Sequence, residues 1–267
     1  MAKIPESMKK LYFTISTLML AVIMYQSQSA AQQSTRFDHS KFDALLKQYV
    51  QNDKVNYAAL KEDKRLDEYL QELERANPDA LATREEKIAF WINAYNAYTL
   101  KLVVDNYPIK SITDLSALGY LSLPFDSPWK RKFCKIGGKV YSLDDIEHTI
   151  LRGEFGEEQI HFAVNCASES CPVLRPEAYT GEKLSAQLKE QAQAFLSDST
   201  RNQFRLEGNT LYLSKIFEWY RSDFEKKKGS LLKYIAQYFS GEERERLESG
   251  NVTIKFLDYN WNLNEAK

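Results

Sequence analysis

Residue types that can carry out chemistry are concentrated between positions 159 and 172. This stretch holds two of the three cysteines, Cys166 and Cys171, and one of the three histidines, His161. A cysteine is a nucleophile as its thiolate, which forms when a base or a positive field lies close by. We therefore predict a candidate catalytic centre here, with Cys166 as the nucleophile.

Two histidines compete as the base that would activate Cys166. The apolar run ahead of Cys166 predicts a buried strand, in which side chains alternate between two faces. On that geometry His161 and Cys166 point to opposite faces, and His148 becomes the better partner, with Glu147 beside it to orient nearby groups. A bend at Asn165 would bring His161 back toward the thiol. Both pairings stay open at this point.

The same side chains allow two interpretations without a nucleophile. In an oxidising compartment Cys166 and Cys171 could form a structural disulfide, or Cys134 could pair with one of them. Cysteine and the imidazoles of His148 and His161 are also zinc ligands. However, four residues separate the two cysteines, which is loose for a zinc pattern, and the histidines lack helical i, i+4 spacing. We predict neither a metal nor a cofactor.

Amide and guanidinium groups complete the set of candidate site residues. Asn93 and Asn96 lie three residues apart on a predicted long helix, where their amides either cap loop backbone groups or reach into a binding cleft. Arg152 follows His148 by four residues and Glu147 by five, so a small polar network along that helix is feasible. We predict binding roles for Asn93, Asn96 and Arg152.

Aromatic residues near the end of the chain could form a stacking platform for a sugar ring. Trp219, Tyr220 and Asp223 lie close together on a predicted helix, and Tyr259 and Trp261 follow in the last segment. Core packing is the simpler use for such aromatic residues.

The first 31 residues have the pattern of a secretory signal. Three lysines precede an uncharged run from Leu11 to Tyr25, and Ser29-Ala30-Ala31 supplies small residues for cleavage. The run is shorter than the roughly 20 apolar residues of a spanning helix, although an uncleaved anchor is the competing interpretation. We expect a protein exported to the periplasm or the extracellular space, with no stable membrane span after signal cleavage.

Residues 32–267 are expected to form one globular domain. Removal of the signal takes away three lysines and one glutamate, which moves the net charge from −1 to −3. Nucleic-acid-binding domains are usually basic, so no nucleic-acid partner is predicted. The expected partner is a small molecule or a component of the cell envelope.

The hydrophobic pattern predicts an α+β fold in which several helices pack on a mainly antiparallel sheet built from hairpins. Helices are expected over Asp38–Val50, Leu60–Leu73 and Thr83–Asn106, and after Ser142, Thr180, Ser214 and Ser230; hairpins turn at Gly137-Gly138 and Gly208-Asn209, and Val252–Phe256 is a strand.

Four stretches in order resemble the family called domain of unknown function 547. They are Ala89–Ala97, Asp145–Arg152, His161–Pro172 and Tyr259–Asn264. The resemblance implies one domain from about Asp38 to Asn264 and carries no settled activity. It places the family's polar motif residues at Asn93, Asn96, Glu147, His148, Arg152, His161, Cys166 and Cys171, and it leads us to expect aspartate where this chain has Asn260.

Two functions remain open from the sequence. One is a thiol-dependent hydrolase or acyl transferase that uses Cys166 with His148 or His161 and amide support. The other is a non-catalytic envelope or extracellular binding module stapled by a Cys166–Cys171 disulfide.

Overall fold

The computed structural model describes residues 36–116, 127–205 and 208–266. The predicted signal, residues 1–31, lies outside these ranges. Within them, no helix has both the length and the apolar character needed to cross a bilayer.

The first described elements are short helices around a two-stranded hairpin. In order they are α1 (Ser40–Tyr49), β1 (Val50–Gln51), β2 (Lys54–Val55), α2 (Tyr57–Lys61) and α3 (Arg65–Arg75). The prediction of a single helix over Leu60–Leu73 is wrong, because the helical structure is interrupted between α2 and α3. The carboxylate of Asp63 accepts the backbone N–H of Arg65 at 2.9 Å and so begins a new helix.

Helix α4 (Arg84–Asn106) runs through the centre of the protein. Its predicted start is confirmed, since the Thr83 hydroxyl accepts the backbone N–H of Glu86 at 3.0 Å. Seventeen of its 23 residues are buried, including two asparagines. A helix buried around its whole circumference must be covered by other elements on every side, and α4 therefore forms the scaffold for the loops described below.

The hairpin predicted at Gly137-Gly138 is confirmed. Strands β3 (Cys134–Ile136) and β4 (Lys139–Tyr141) pair antiparallel with Ile136 opposite Lys139. Gly137 and Gly138 have φ values of 57° and 73°, the left-handed conformation that a two-residue hairpin turn requires.

The helix predicted after Ser142 is present but wider than an α-helix. Ser142 and Asp145 cap its start reciprocally, with backbone-to-side-chain distances of 2.7 and 3.0 Å. Residues Asp145–Glu154 form a π-helix, and its end is marked by a bond from the Phe155 N–H to the Ile150 carbonyl. Stretches of π-helix often occur at functional sites, and this one carries Glu147, His148 and Arg152.

The strand predicted ahead of Cys166 is wrong. Residues Glu158–Phe162 form a 3₁₀ helix, and an irregular loop follows. Side-chain amides take the place of a strand partner there. Asn96 binds the Ala163 carbonyl and the Asn165 N–H, and Gln191 donates to the Phe162 carbonyl. The buried backbone is thus satisfied without a β ladder.

From Leu184 onward, the described residues form five helices and three strands, and two of these strands form the predicted second hairpin. They are α5 (Leu184–Ser197), β5 (Gln203–Arg205), β6 (Thr210–Leu213), α6 (Lys215–Trp219), α7 (Arg221–Lys228), α8 (Leu231–Ala236), α9 (Gly241–Ser249) and β7 (Thr253–Phe256). The single helix predicted after Ser214 is divided at Tyr220, where φ is −109° and ψ is 21°. Helix α9 was not predicted.

The fold class is α+β, as predicted. The described strands form small sheets, antiparallel in the pairs β1–β2, β3–β4 and β5–β6, whereas β7 joins β6 in parallel. Two hydrophobic clusters fill the interior, one around α4 and one between β6 and helices α5 to α9. A cavity lies where the two clusters meet, lined by Tyr95 and Val164 from the first and Ile216 from the second.

Candidate active site

The cavity brings the predicted chemical residues together. It has a volume of about 310 Å³ and is lined by Cys166, Cys171, Glu147, His148 and His161. The histidines and Glu147 come from the π-helix and the 3₁₀ helix, and the cysteines come from the loop that follows. Six aromatic residues also line it: Tyr95, Trp129, Trp219, Tyr220, Tyr259 and Trp261.

Cys166 is partly exposed, and its sulfur is surrounded by hydrogen-bond donors. It lies 3.0 Å from the sulfur of Cys171, 3.1 Å from the Ser168 hydroxyl and 3.3 Å from the Tyr259 hydroxyl. These hydrogen bonds, that of Cys171 first, lower the pKa of the Cys166 thiol below its usual value. Burial raises the pKa of Tyr259 well above its usual value, so this phenol remains a donor.

The two neighbouring cysteines have opposite electrostatic preferences. Burial, together with the adjacent sulfur of Cys166, raises the pKa of Cys171 well above its usual value. Cys171 is therefore the protonated member of the pair and donates to Cys166. Both are free thiols, as is Cys134, which is buried on β3 with its thiol pKa raised by desolvation. In the described part of the chain, no three His, Cys, Asp or Glu side chains are grouped to hold a metal ion.

Asn93 and Asn96 hold loops and do not present amides to the cavity. Asn96 donates to the Ala163 carbonyl at 3.0 Å and accepts the Asn165 N–H at 2.8 Å. Asn93 binds both backbone groups of Tyr179, at 2.8 and 2.9 Å. The backbone-capping alternative therefore describes both residues, and the expectation that they reach into a cleft is not met. Asn96 nevertheless fixes the backbone next to Cys166.

The C-terminal motif, Tyr259–Asn264, forms backbone hydrogen bonds with the loop that carries Cys166 and Cys171. The Asn264 N–H donates to the Ala167 carbonyl at 3.1 Å, and the Glu169 N–H donates to the Asn262 carbonyl at 2.8 Å. Ala167 itself has φ = 61°, an uncommon value for a residue with a side chain. The chain thus turns sharply directly after Cys166, and contacts from α4 and from the C-terminal segment hold that turn.

His161 is oriented by a carboxylate that lies 62 residues later in the sequence. Its Nε2 atom lies 2.9 Å from Oδ2 of Asp223, and its ring stacks on Tyr220 at 3.8 Å between centroids, with an angle of 13°. Its Nδ1 atom has no hydrogen-bond partner among the described residues. Burial lowers the pKa of His161, and Asp223 opposes that shift. A neutral imidazole with one free nitrogen results.

His148 is bound to a guanidinium. Its Nδ1 atom lies 2.9 Å from Nη1 of Arg152. Because a guanidinium can only donate, this nitrogen accepts, and a neutral His148 carries its proton on Nε2, which lies 3.7 Å from the carboxylate of Asp144. Arg152 also donates from Nε to Asp223 at 2.6 Å, so its contacts are internal to the site.

Neither histidine is hydrogen-bonded to the Cys166 sulfur, which in the described part of the chain contacts Cys171, Ser168 and Tyr259. The argument that strand alternation separates His161 from Cys166 is wrong, because no strand exists there. Both line the same cavity. Of the two imidazoles, that of His161 has a ring nitrogen, Nδ1, without a hydrogen-bond partner among the described residues, whereas Nδ1 of His148 is bound to Arg152.

Glu147 supports the ring that covers His161. Its carboxylate accepts the Tyr220 hydroxyl at 2.8 Å and lies 4.0 Å from His161 Nδ1. Burial and this neighbouring carboxylate raise the pKa of Tyr220. Glu147 thereby fixes Tyr220 against the imidazole.

When the sequence is compared with models of known protein families, one family matches. A family model described as "Protein of unknown function, DUF547" matches residues 78–196. Residues 78–196 belong to the DUF547 family. No curated protein and no solved structure matches the chain. Three of the four resembling stretches fall inside the matched range, whereas Tyr259–Asn264 lies outside it.

Some residues that line the cavity lie inside the DUF547 match, and others come from the chain that follows it. Both cysteines, His148, His161 and Glu147 lie inside the matched range. The carboxylate that orients His161, that of Asp223, comes from beyond residue 196, and so does much of the apolar and aromatic lining: Ile216, Trp219, Tyr220, Tyr259 and Trp261.

Asp223, Ser168 and Tyr259 were not predicted as partners of the catalytic candidates. Asp223 and Tyr259 were noted as parts of an aromatic platform, but nothing in their spacing links them to His161 or Cys166. Ser168 lies two residues after Cys166, and that short distance was the one available signal for it.

Proposed function

We propose that this DUF547 protein is a thiol-dependent enzyme of the acyl-transfer class, either a hydrolase or an acyl transferase. One observation carries the proposal. The Cys166 sulfur, surrounded by three donors, lines the same cavity as the Asp223-oriented imidazole of His161. A nucleophile and a base held by a third group are the parts that covalent acyl transfer requires.

The proposed first step forms a thioester. The Cys166 sulfur attacks the carbonyl carbon of the substrate, while the thiol proton passes to Nδ1 of His161. The imidazolium, stabilised by Asp223, then returns that proton to the leaving group as the carbonyl–leaving-group bond breaks. The Tyr259 hydroxyl lies 3.3 Å from the sulfur and can donate to the oxygen on which negative charge develops.

The second step decides between hydrolase and transferase. A water or an amine attacks the thioester carbonyl and gives its proton to His161. The carbon–sulfur bond breaks, and Cys166 leaves as a thiolate, which its hydrogen-bond donors stabilise. Water yields a carboxylic acid, and an amine yields an amide.

We place this activity outside the cytoplasm, in the periplasm or the extracellular space. The support is the signal-like pattern of residues 1–31. The expected partner is a small molecule or an envelope component that carries an acyl group.

A second candidate is a non-catalytic binding module stapled by a Cys166–Cys171 disulfide. The contact of 3.0 Å between the two sulfurs favours it, because only a short approach separates this distance from the roughly 2.05 Å of an S–S bond. In that case the pair would rigidify the loop and leave no nucleophile.

Cysteine labelling of the folded protein, prepared without reductant, separates the two candidates. Brief iodoacetamide treatment at pH 7 followed by peptide mass spectrometry gives the label at each cysteine. The enzyme proposal predicts a free Cys166 that is labelled before Cys171 and before the buried Cys134, which serves as the internal control. A Cys166–Cys171 disulfide in that preparation would contradict the thiolate mechanism and support the binding module.

A further inference from the structure

Tryptophan is concentrated around the candidate active site. The chain contains four tryptophans, and three of them, Trp129, Trp219 and Trp261, line the cavity. Trp219 is 46 % exposed, whereas most large apolar side chains in the described ranges are covered. A contiguous group of partly exposed aromatic side chains beside a cavity indicates a surface that contacts a ligand. The prediction that core packing explains these aromatic residues does not account for Trp219.

These rings form one continuous cluster, which we call the aromatic rim: Trp129, Trp219, Tyr259 and Trp261. Trp219 stacks on Trp261 with 5.9 Å between ring centroids and an angle of 23° between the ring planes. The ring centroid of Tyr259 lies 4.8 Å from that of Trp219 and 4.5 Å from that of Trp261. Trp129 meets Trp261 edge to face at 5.9 Å. The neighbouring rings hold Trp219 in place while part of it stays exposed.

The charges around the cavity are mainly negative. Its described lining includes the carboxylates of Asp144 and Glu147 but no lysine or arginine. Behind the lining, the carboxylate of Asp223 binds the guanidinium of Arg152. These three carboxylates and one guanidinium leave two negative charges. A cationic ligand group is attracted to such a site, and an anionic one is repelled.

We propose that the aromatic rim, together with Asp144, binds an alkylammonium group of the substrate. This assignment names a substrate class and rests on the proposed acyl-transfer function. The face of a tryptophan carries negative potential and attracts an ammonium ion within about 6 Å of the ring centroid. The side chain of Asp144 is 37 % exposed, and its carboxylate lies 3.7 Å from Nε2 of His148, so the carboxylate is accessible to a cation.

The protein already contains this kind of contact beside the rim. The guanidinium carbon of Arg152 lies 4.9 Å from the centroid of the Tyr220 ring. The geometry there shows that a planar cation and an aromatic face pack together in this cavity wall. A sugar ring or an acyl chain could also pack on Trp219, but neither would gain from the negative charge.

Binding can be measured separately from chemistry in the full-length Cys166→Ser variant, which cannot form a thioester. The probes are choline, its neutral isostere 3,3-dimethylbutan-1-ol, and N-acetylglucosamine, each titrated while tryptophan fluorescence is recorded. We expect choline to bind at least about fivefold more tightly than the neutral isostere, as a cation–π contact predicts. Equal affinity for the two, preference for the sugar, or no binding of choline would overturn the proposal.

Substitutions in that background locate the site. Trp219→Ala should weaken choline binding at least about fivefold, and Trp219→Phe should retain part of it because the ring face remains. Asp144→Asn should weaken choline binding and leave the isostere unaffected. Glu154→Gln is the matched control, because Glu154 is an exposed acid at the end of the π-helix that Asp144 precedes, and it does not line the cavity. If Asp144→Asn and Glu154→Gln have the same effect, the proposed ammonium site is wrong.

The two proposals can fail independently. Choline binding by the Cys166→Ser variant would stand even if Cys166 never forms a thioester. Conversely, if Cys166 forms a thioester but the protein does not bind choline, the proposed acyl-transfer function stands and the proposed ammonium site is wrong.

Discussion

The carboxylate of Asp223 lies 2.9 Å from Nε2 of His161, and the same oxygen accepts a hydrogen bond from Arg152 at 2.6 Å. These two contacts, that of His161 first, lower the pKa of Asp223. An ionised Asp223 fixes the orientation of His161, whose buried Nδ1 atom has no hydrogen-bond partner among the described residues. The contact joins an element outside the DUF547 match to the histidine inside it.

Replacing Asp223 by asparagine should impair catalysis more than folding. Loss of the charge-assisted bonds is expected to reduce the free energy of unfolding by roughly 1.5–3 kcal/mol. The rate of Cys166 acylation by an activated ester should fall by about 10² or more, because the base loses its orientation. Glu225→Gln, which removes an exposed ion pair with Arg221 on the same helix, is the control. Wild-type acylation by Asp223→Asn would show that Asp223 is purely structural.

Asn96 and Asn93 make the same pair of backbone contacts at different loops, which provides a matched comparison. Each alanine variant leaves a buried N–H and a buried carbonyl unpaired, so each should lose roughly 2–5 kcal/mol of unfolding free energy in chemical denaturation. Only Asn96→Ala should also change the alkylation rate of Cys166, because Asn96 holds the backbone of Asn165. Equal alkylation rates in the two variants would show that the Asn96 clamp does not position the nucleophile.

The thiol of Cys171 should control the reactivity of Cys166. Removing this donor by Cys171→Ala is expected to raise the pKa of Cys166, and each unit of increase slows alkylation about tenfold at pH values below the pKa. The pH dependence of iodoacetamide labelling at Cys166 measures this directly. Cys134→Ala, a change at a buried thiol on β3, should leave the profile unmoved. An unchanged profile in Cys171→Ala would remove Cys171 from the mechanism.

His39 should make the protein less stable in acid. It is buried and hydrogen-bonded to the Tyr69 hydroxyl at 2.7 Å, and desolvation lowers its pKa from 6.5 to about 4. Between these values the unfolded chain binds a proton that the folded protein does not, so the free energy of unfolding falls as the pH falls from 6.5 to 4.

The full effect of His39 is on the order of 3 kcal/mol. Urea denaturation at pH 7 and pH 4 should show a smaller loss of stability in His39→Gln than in wild type. Parallel losses in the two proteins would place the acid sensitivity elsewhere.

Local signals in the sequence were sufficient for several elements. Thr83 marks the start of α4, and the Gly137-Gly138 pair marks the first hairpin, because capping and left-handed turns depend on neighbouring residues alone. The run before Cys166 was predicted incorrectly, since an apolar segment of that length suits either a strand or another buried conformation. Its backbone is satisfied by Asn96 and Gln191, and sequence spacing does not reveal such distant partners.

The candidate site was predictable in its composition but not in its geometry. The clustering of Cys166, Cys171 and His161 identified the region. The pairing of His161 with Asp223 depends on the break at Tyr220 between α6 and α7 and on tertiary contacts across 62 residues. Neither follows from periodicity.

Acyl trapping tests the central proposal most directly. Reduced, full-length wild-type protein is mixed with p-nitrophenyl acetate at pH 7, quenched in acid and mapped by peptide mass spectrometry, alongside Cys166→Ser and His161→Gln. We predict an acetyl thioester on Cys166 of the wild-type protein and none in Cys166→Ser. In His161→Gln the rate of thioester formation should be lower by a factor of about 10² or more. Acetylation confined to surface lysines, or a Cys166 thioester that forms equally fast without His161, would contradict the account.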